Sequence, residues 1–278
     1  MKWVVFLAGF AVLGCAEDPL VPPETDQLDP NEHRGRRTVS VLVDASRDGG
    51  AWWFPQSSAF DPNAPHQGKP LADYLRSLGF EVTELPRPFT IELSLLQQHD
   101  LVIRANESGA FGIYAFTERE AYKEYVRRGG PLLLLGDIRS PSYADTLALL
   151  FGMQVQGITR GSQLMDFVPH PITRGVPSGV LRYGVGSGIM DLPQTAKILA
   201  HLDGASYLNL NDNGIRDSGE PYAPPVMAIM KYHRGRIVFI GDTNLLEDVP
   251  QPLTDNTLRW LLRYGWRTCH LRPGHRCR

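Results

Sequence analysis

Cysteine is scarce, and its placement excludes more than its number does. Three occur in 278 residues, at Cys15, Cys269 and Cys277, so thiol chemistry is excluded from the long middle of the chain. Charge of one sign is lacking too: 28 Lys and Arg against 30 Asp and Glu leave a net −2, which offers nothing to a nucleic-acid backbone. Long apolar runs are missing. The run from Trp3 to Leu13 is eleven residues, well short of the roughly 20 that span a hydrocarbon core. No Gly-x-Gly-x-x-Gly follows the first apolar segment of the core, and there is no Walker loop and no Gly-x-Ser-x-Gly elbow. Nucleotide binding and the serine-hydrolase arrangement therefore lack sequence support.

What stands at the ends is more specific. Lys2 ahead of the eleven-residue run has the form of a signal peptide. Val12-Leu13-Gly14-Cys15 resembles the bacterial lipoprotein box, which implies removal of residues 1–14 and a lipid on Cys15; ordinary secretion is the alternative. The expectation is an exported protein of the cell envelope, tethered to the membrane by its lipid. With Ala16-Glu17 after the cysteine, a Gram-negative cell would hold it at the outer membrane, facing the periplasm or the surface. Residues 15–37 are polar, proline-rich and poor in large apolar side chains, the composition of a flexible stalk. In the tail, 266–278, an oxidising compartment makes a Cys269–Cys277 disulfide the expectation, contributing about 2–3 kcal/mol if unstrained. The alternative there is a metal set with His270 and His275.

From Thr38 apolar runs alternate with helical patterns. The expected strands are 38–44, 80–85, 100–104, 131–137 and 236–242. The expected helices are 69–79, with Leu71, Tyr74, Leu75 and Leu78 on one face, 117–130, 143–152 and 255–265. Thr117 with Glu120 three residues on reads as a capping box. Such alternation predicts an α/β sandwich on a mainly parallel sheet, spanning 38–265. Between about 153 and 230 the pattern loosens, and shorter, partly antiparallel strands are expected, including 196–202 and 225–232. Gly184–Gly188 precedes no clear helix and reads as a loop.

Three segments carry a resemblance. HPITRGV (170–176), HRGRIVFIGDTNLLED (233–248) and DNTLRWLL (255–262) resemble the amidotransferase-like domain of gliding-motility and intraflagellar-transport proteins. That domain belongs to the class I glutamine amidotransferase superfamily, which implies a flavodoxin-like, three-layer fold over roughly residues 38–264. Catalytic members carry a nucleophilic Cys after a central strand and a His-x-Glu pair after a later one. Here those places read Gly136-Asp137-Ile138-Arg139 and Gly241-Asp242-Thr243-Asn244. The triad is absent, and with it glutaminase chemistry. In these domains the His170 motif is a turn, which implies a structural histidine.

Ligands of open α/β sheets bind at the carboxyl ends of the strands. Asp44, Asp137 and Asp242 end three strands, Arg104 and Asn244 lie at or beyond strand ends, and Trp52 and Trp53 follow the first strand. Acids with tryptophans suit a glycan groove; paired carboxylates suit hydrolysis. Equally, such Asp residues cap helices and fix turns. The reading is an accessory protein that binds an envelope protein or glycan, with a hydrolase using Asp44, Asp137 and Asp242 as the alternative.

Finally, NLNDNGIRDSGE (209–220) has the spacing of a calcium loop. Asn209, Asn211, Asn213, the Ile215 carbonyl, Asp217 and Glu220 occupy positions 1, 3, 5, 7, 9 and 12, with Gly214 at position 6. Strand-like flanks fit an insertion near 203–225 and not a helix pair. Structural calcium is the expectation, and a metal-free hairpin the alternative.

Overall fold

The computed structural model describes residues 38–50, 52, 61, 63–108, 112–138 and 144–262. The signal peptide with Cys15, the stalk, and the tail with Cys269, His270, His275 and Cys277 lie outside the described residues, as do Trp53 and Arg139.

Short runs of branched apolar residues form the centre. β1 (Ser40–Asp44), β2 (Glu81–Leu85), β3 (Leu101–Arg104), β4 (Pro131–Leu135) and a later strand, Gly235–Ile240, lie side by side and parallel. Leu132 and Leu134 of β4 enter one apolar cluster, while Leu133 and Leu135 enter the other. A side-chain period of two sends alternate residues to opposite faces, so a strand covered on both sides must be apolar throughout.

Helices cover both faces. α1 (Lys69–Ser77) packs Leu71, Ala72 and Leu75 into the first cluster. α2 (Leu93–Leu96), which carries no periodic signal in the sequence, gives Leu96 to the second, as α3 (Phe116–Arg127) gives Tyr122, Tyr125 and Val126, and α4 (Thr146–Leu150) gives Leu147 and Ala148. The result is an α/β sandwich of the flavodoxin-like type, as expected.

The α3 cap differs from expectation. The helix begins at Phe116, and the residue that reaches back is Glu118, whose Oε2 accepts from the Ala115 N–H at 2.8 Å. Glu120 is on the surface beside Lys123. α4 is also shorter than the 143–152 pattern, because Asp145 accepts from the Ala148 N–H and sets its start.

The looser half is built of short strands: β5 (Gln154–Gln156), β6 (Ile158–Arg160), β7 (Met165–Phe167), β8 (Gly188–Asp191), β9 (Ala196–Leu202), β10 (Tyr207–Asn209), β11 (Pro225–Tyr232) and β12, the Gly235–Ile240 strand. The large sheet has eight strands in the order β2-β1-β3-β4-β12-β11-β9-β7. Its last three strands are antiparallel additions; β5–β8 and β6–β10 form two small antiparallel pairs. A 3-10 turn, Thr243–Leu246, and α5 (Leu253–Leu261) complete the chain described, α5 joining the first cluster through Leu253, Leu258 and Leu261. No helix among the described residues is long and apolar enough to cross a membrane.

Candidate functional site

In the order 2-1-3-4 the chain reverses direction between β1 and β3, and this switch point is where such sheets open a crevice. Here Asp44 and Arg104 stand opposite each other in register. Both are fully buried, on the face of the second cluster. The Asp44 carboxylate accepts from the Tyr114 hydroxyl at 2.7 Å, the Tyr122 hydroxyl at 2.5 Å and the Ser46 N–H at 2.9 Å. The Arg104 guanidinium donates Nη2 to Asp145 at 2.7 Å, while its Nε and Nη1 have no partner. Burial works against the Arg104 charge; the neighbouring Asp145, Tyr114 and Glu107 outweigh it and hold the guanidinium protonated. The crevice expected at the switch point is thus filled by the chain's own tyrosines.

Asp137 and Asp242 form a second centre on the opposite face. They follow the adjacent strands β4 and β12, tied where Gly136 N–H donates to Ile240 at 2.7 Å and Thr243 N–H donates to Gly136 at 2.8 Å. The two backbones touch: a Cβ on Gly136 would lie 2.9 Å from the Gly241 Cα, so only glycine fits there. Asp137 Oδ1 accepts from the Ile138 N–H at 2.7 Å. Asp242 Oδ1 accepts from the Asn244 N–H at 3.0 Å and caps the 3-10 turn, while Oδ2 is buried without a partner. Gly184 packs directly on this carboxyl, and Gly186 on the Asp242 Cβ and Cα. Burial raises the Asp242 pKa to about 8, the Asn244 N–H lowers it, and the charges of Asp137 and Glu247 raise it further. The acid is therefore protonated at neutral pH.

The structure brings together two of the three strand-end acids and turns Asp44 away to the other side of the sheet. Trp52 is 1% exposed. Its indole N–H donates to Glu84 at 2.8 Å, in a cluster with His66 and Arg76, so it presents no face to a sugar. Asn244 is exposed and donates to Glu247 at 2.9 Å.

An open cavity of about 470 Å³ lies elsewhere, under the turn Pro169–Ser178 beside β7. His170, Thr173 and Arg174 line it, and no strand-end acid does. His170 serves that turn: its Nδ1 accepts from the Ile172 N–H at 3.2 Å. Burial and then Lys197 lower its pKa. Asn256 of α5 donates to the Ile172 and Arg174 carbonyls at 3.1 and 2.9 Å, and the Arg236 guanidinium lies 5.1 Å from the Trp260 ring centroid. The three segments that carry the sequence resemblance therefore clasp one another and build scaffold.

Sequence reasoning missed Tyr114, Tyr122, Asp145 and the packing of Gly184 and Gly186 on Asp242, since no local pattern links residues 41 to 78 positions apart. The apolar rim was missed as well. Phe89, Ile113, Phe116 and Ile138 are 40%, 55%, 69% and 48% exposed, and all follow the carboxyl ends of β2, β3 or β4.

No protein-family model matches the chain, and no curated protein matches it. Solved structures do. An intraflagellar-transport structure, "mmIFT52 N-terminal domain", is 16% identical over 80% of this chain and 96% of its own, with a TM-score of 0.53. A putative ThuA-like protein from Bacteroides uniformis is 14% identical over 84% of this chain and 95% of its own, with a TM-score of 0.55. The fold is glutamine-amidotransferase-like. At such identities the likeness speaks for the fold alone, and the chemistry must be read from the residues.

Proposed function

We propose that this chain is an exported, lipid-anchored accessory protein whose amidotransferase-like domain is catalytically empty and binds a protein of the cell envelope. One observation carries the reading. Where the resemblance implies a cysteine and a His-x-Glu pair, the adjacent ends of β4 and β12 hold Gly136-Asp137 and Gly241-Asp242, with Asp242 buried under two glycines. The switch-point crevice is likewise closed by Tyr114 and Tyr122. Binding then falls to the loops, and their exposed Phe116, Ile113 and Ile138 suit an apolar protein surface better than a glycan, for which Trp52 offers no ring. Lipid on Cys15 and export rest on the lipoprotein-box resemblance.

The test is site-specific photo-crosslinking in the producing cell, with the probe at Phe116, at Ile138 and, as control, at Val180, which is 68% exposed. A discrete adduct from the first two positions and none from Val180 is expected. Equal labelling at all three, or ammonia release from glutamine by the purified chain, removes the reading.

A second reading has one observation in its favour. An acid that stays protonated at neutral pH beside a second carboxylate is what two-carboxylate hydrolysis requires, and Asp242 beside Asp137 fits it. Asp44 has no part in this version. Turnover of chromogenic glycosides that vanishes in Asp242→Asn would support it; no turnover by the wild-type chain would end it.

A further inference from the structure

We propose that residues 209–220 form a calcium site that orders the insertion after β10, a property separate from partner binding. The spacing is only the beginning of the case. In the folded chain five of the six expected donors meet, and the sixth, Glu220, is bonded to the backbone beside them. The Asn209 amide lies 3.3 Å from Asn213 Oδ1 and 3.2 Å from the Ile215 carbonyl. Asn211 and Asn213 both reach Asp217 Oδ2 at 2.7 Å. The Glu220 carboxylate closes the ring, accepting from the Leu210 and Asp217 N–H groups at 2.5 and 2.8 Å. Gly214 makes the sharp turn at φ +82.

An independent observation points to the ion. Asn209 is 0% exposed, its amide faces the ring, and its Oδ1 has no hydrogen-bond partner. A buried acceptor left unmade costs about 1–3 kcal/mol. Half a rotation about the last side-chain bond turns the oxygen to the ring and sets the NH2 group where the oxygen was. Asn209 Oδ1 then stands beside Asn213 Oδ1 and the Ile215 carbonyl at the 3.2–3.3 Å separations now held by Nδ2. Three oxygens that close repel one another unless a cation lies between them. Oxygens bound to Ca²⁺ at 2.3–2.6 Å are themselves roughly 3 Å apart. The same rotation at Asn211 and Asn213 turns two more amide oxygens inward beside Asp217. All donors are hard oxygens, which select Ca²⁺ over the transition metals. Only Asp217 and Glu220 are charged, which places the affinity in the weak range of extracellular modules, about 10⁻⁴–10⁻³ M.

The full purified chain, stripped with EDTA, is titrated with CaCl₂ by calorimetry and separately with Tb³⁺. Tyr207 donates its hydroxyl to the Gly214 carbonyl at 3.1 Å and so lies close enough to sensitise terbium emission. Saturable binding is expected, with calcium displacing the terbium signal. Asp217→Asn keeps the shape and removes a charge, and should weaken binding by about tenfold. Asn211→Asp adds a charge and should tighten it by a similar factor; a gain in affinity cannot come from misfolding. Circular dichroism confirms that both variants are folded. Absence of saturable binding in the wild-type chain, or unchanged affinity in both variants, overturns the site and leaves a metal-free hairpin.

Discussion

Asp242 carries its proton at neutral pH because burial disfavours the charged form, and linkage makes that a statement about stability. The unfolded carboxyl titrates near 3.8 and the folded one near 8, so the folded state binds more protons between these values. Stability from this group is therefore greatest at low pH and is lost as pH rises through 8. In Asp242→Asn that loss disappears. Subtracting variant from wild-type unfolding free energies should leave a slope of about −1.4 kcal/mol per pH unit between about pH 4 and 8, measured by urea denaturation. A flat difference would show that the carboxyl is hydrated. Asp44 differs in its hydrogen bonding, since three donors serve its buried carboxyl group. Tyr122→Phe or Tyr114→Phe removes one donor, and each should cost about 1–3 kcal/mol by chemical denaturation.

At the scale of elements, the start of α3 separates what a local pattern shows from what packing adds. Ser/Thr-x-x-Glu marks both Thr117 and Glu120 in the sequence, yet the helix is organised by Glu118. That carboxylate also accepts from the Ile91 N–H at 2.9 Å and from Arg47 at 3.1 Å, joining three segments. Glu118→Ala takes the carboxylate from Arg47, which keeps the Ser46 and Phe89 carbonyls, and leaves the Ile91 and Ala115 N–H groups without their acceptor, and should cost about 1–3 kcal/mol. Glu120→Ala, on the surface, should stay within about 0.5 kcal/mol. Similar losses for the two variants would return the cap to Glu120. The register of Gly136 against Gly241 makes the same point for strands. Gly136→Ala sets a Cβ against backbone that has no side chain to yield, and a loss of about 1–3 kcal/mol is expected in thermal unfolding.

For the whole molecule, a parallel sheet ends its strands on one side, so every loop that follows β1, β2, β3, β4 or β12 opens on the same face. This chain keeps that geometry, with buried tyrosines against Asp44 at one such end and glycine backbone against Asp242 at the other. Under the proposed function, the exposed apolar residues Ile113, Phe116 and Ile138 beyond these strand ends are the surface offered to a partner. The proposed lipid anchor is tested at this scale as well. Cys15→Ser should abolish incorporation of radiolabelled palmitate and release the protein from the membrane fraction, while its unfolding midpoint stays unchanged. Labelling that persists in the variant would place the lipid elsewhere.

The alternation of short apolar runs with amphipathic segments determined the parallel sheet, its helices, and even the bounds of β9 and β11, because hydrophobic period is a local property of the chain. The missing thiol in the core was equally plain. Only tertiary structure decided that Asp137 and Asp242 share a face while Asp44 turns to the other, that Trp52 is core, and that a buried amide oxygen of Asn209 has no donor. Those outcomes depend on which residues meet across a fold, and side chains tens of positions apart leave no periodic trace in the sequence.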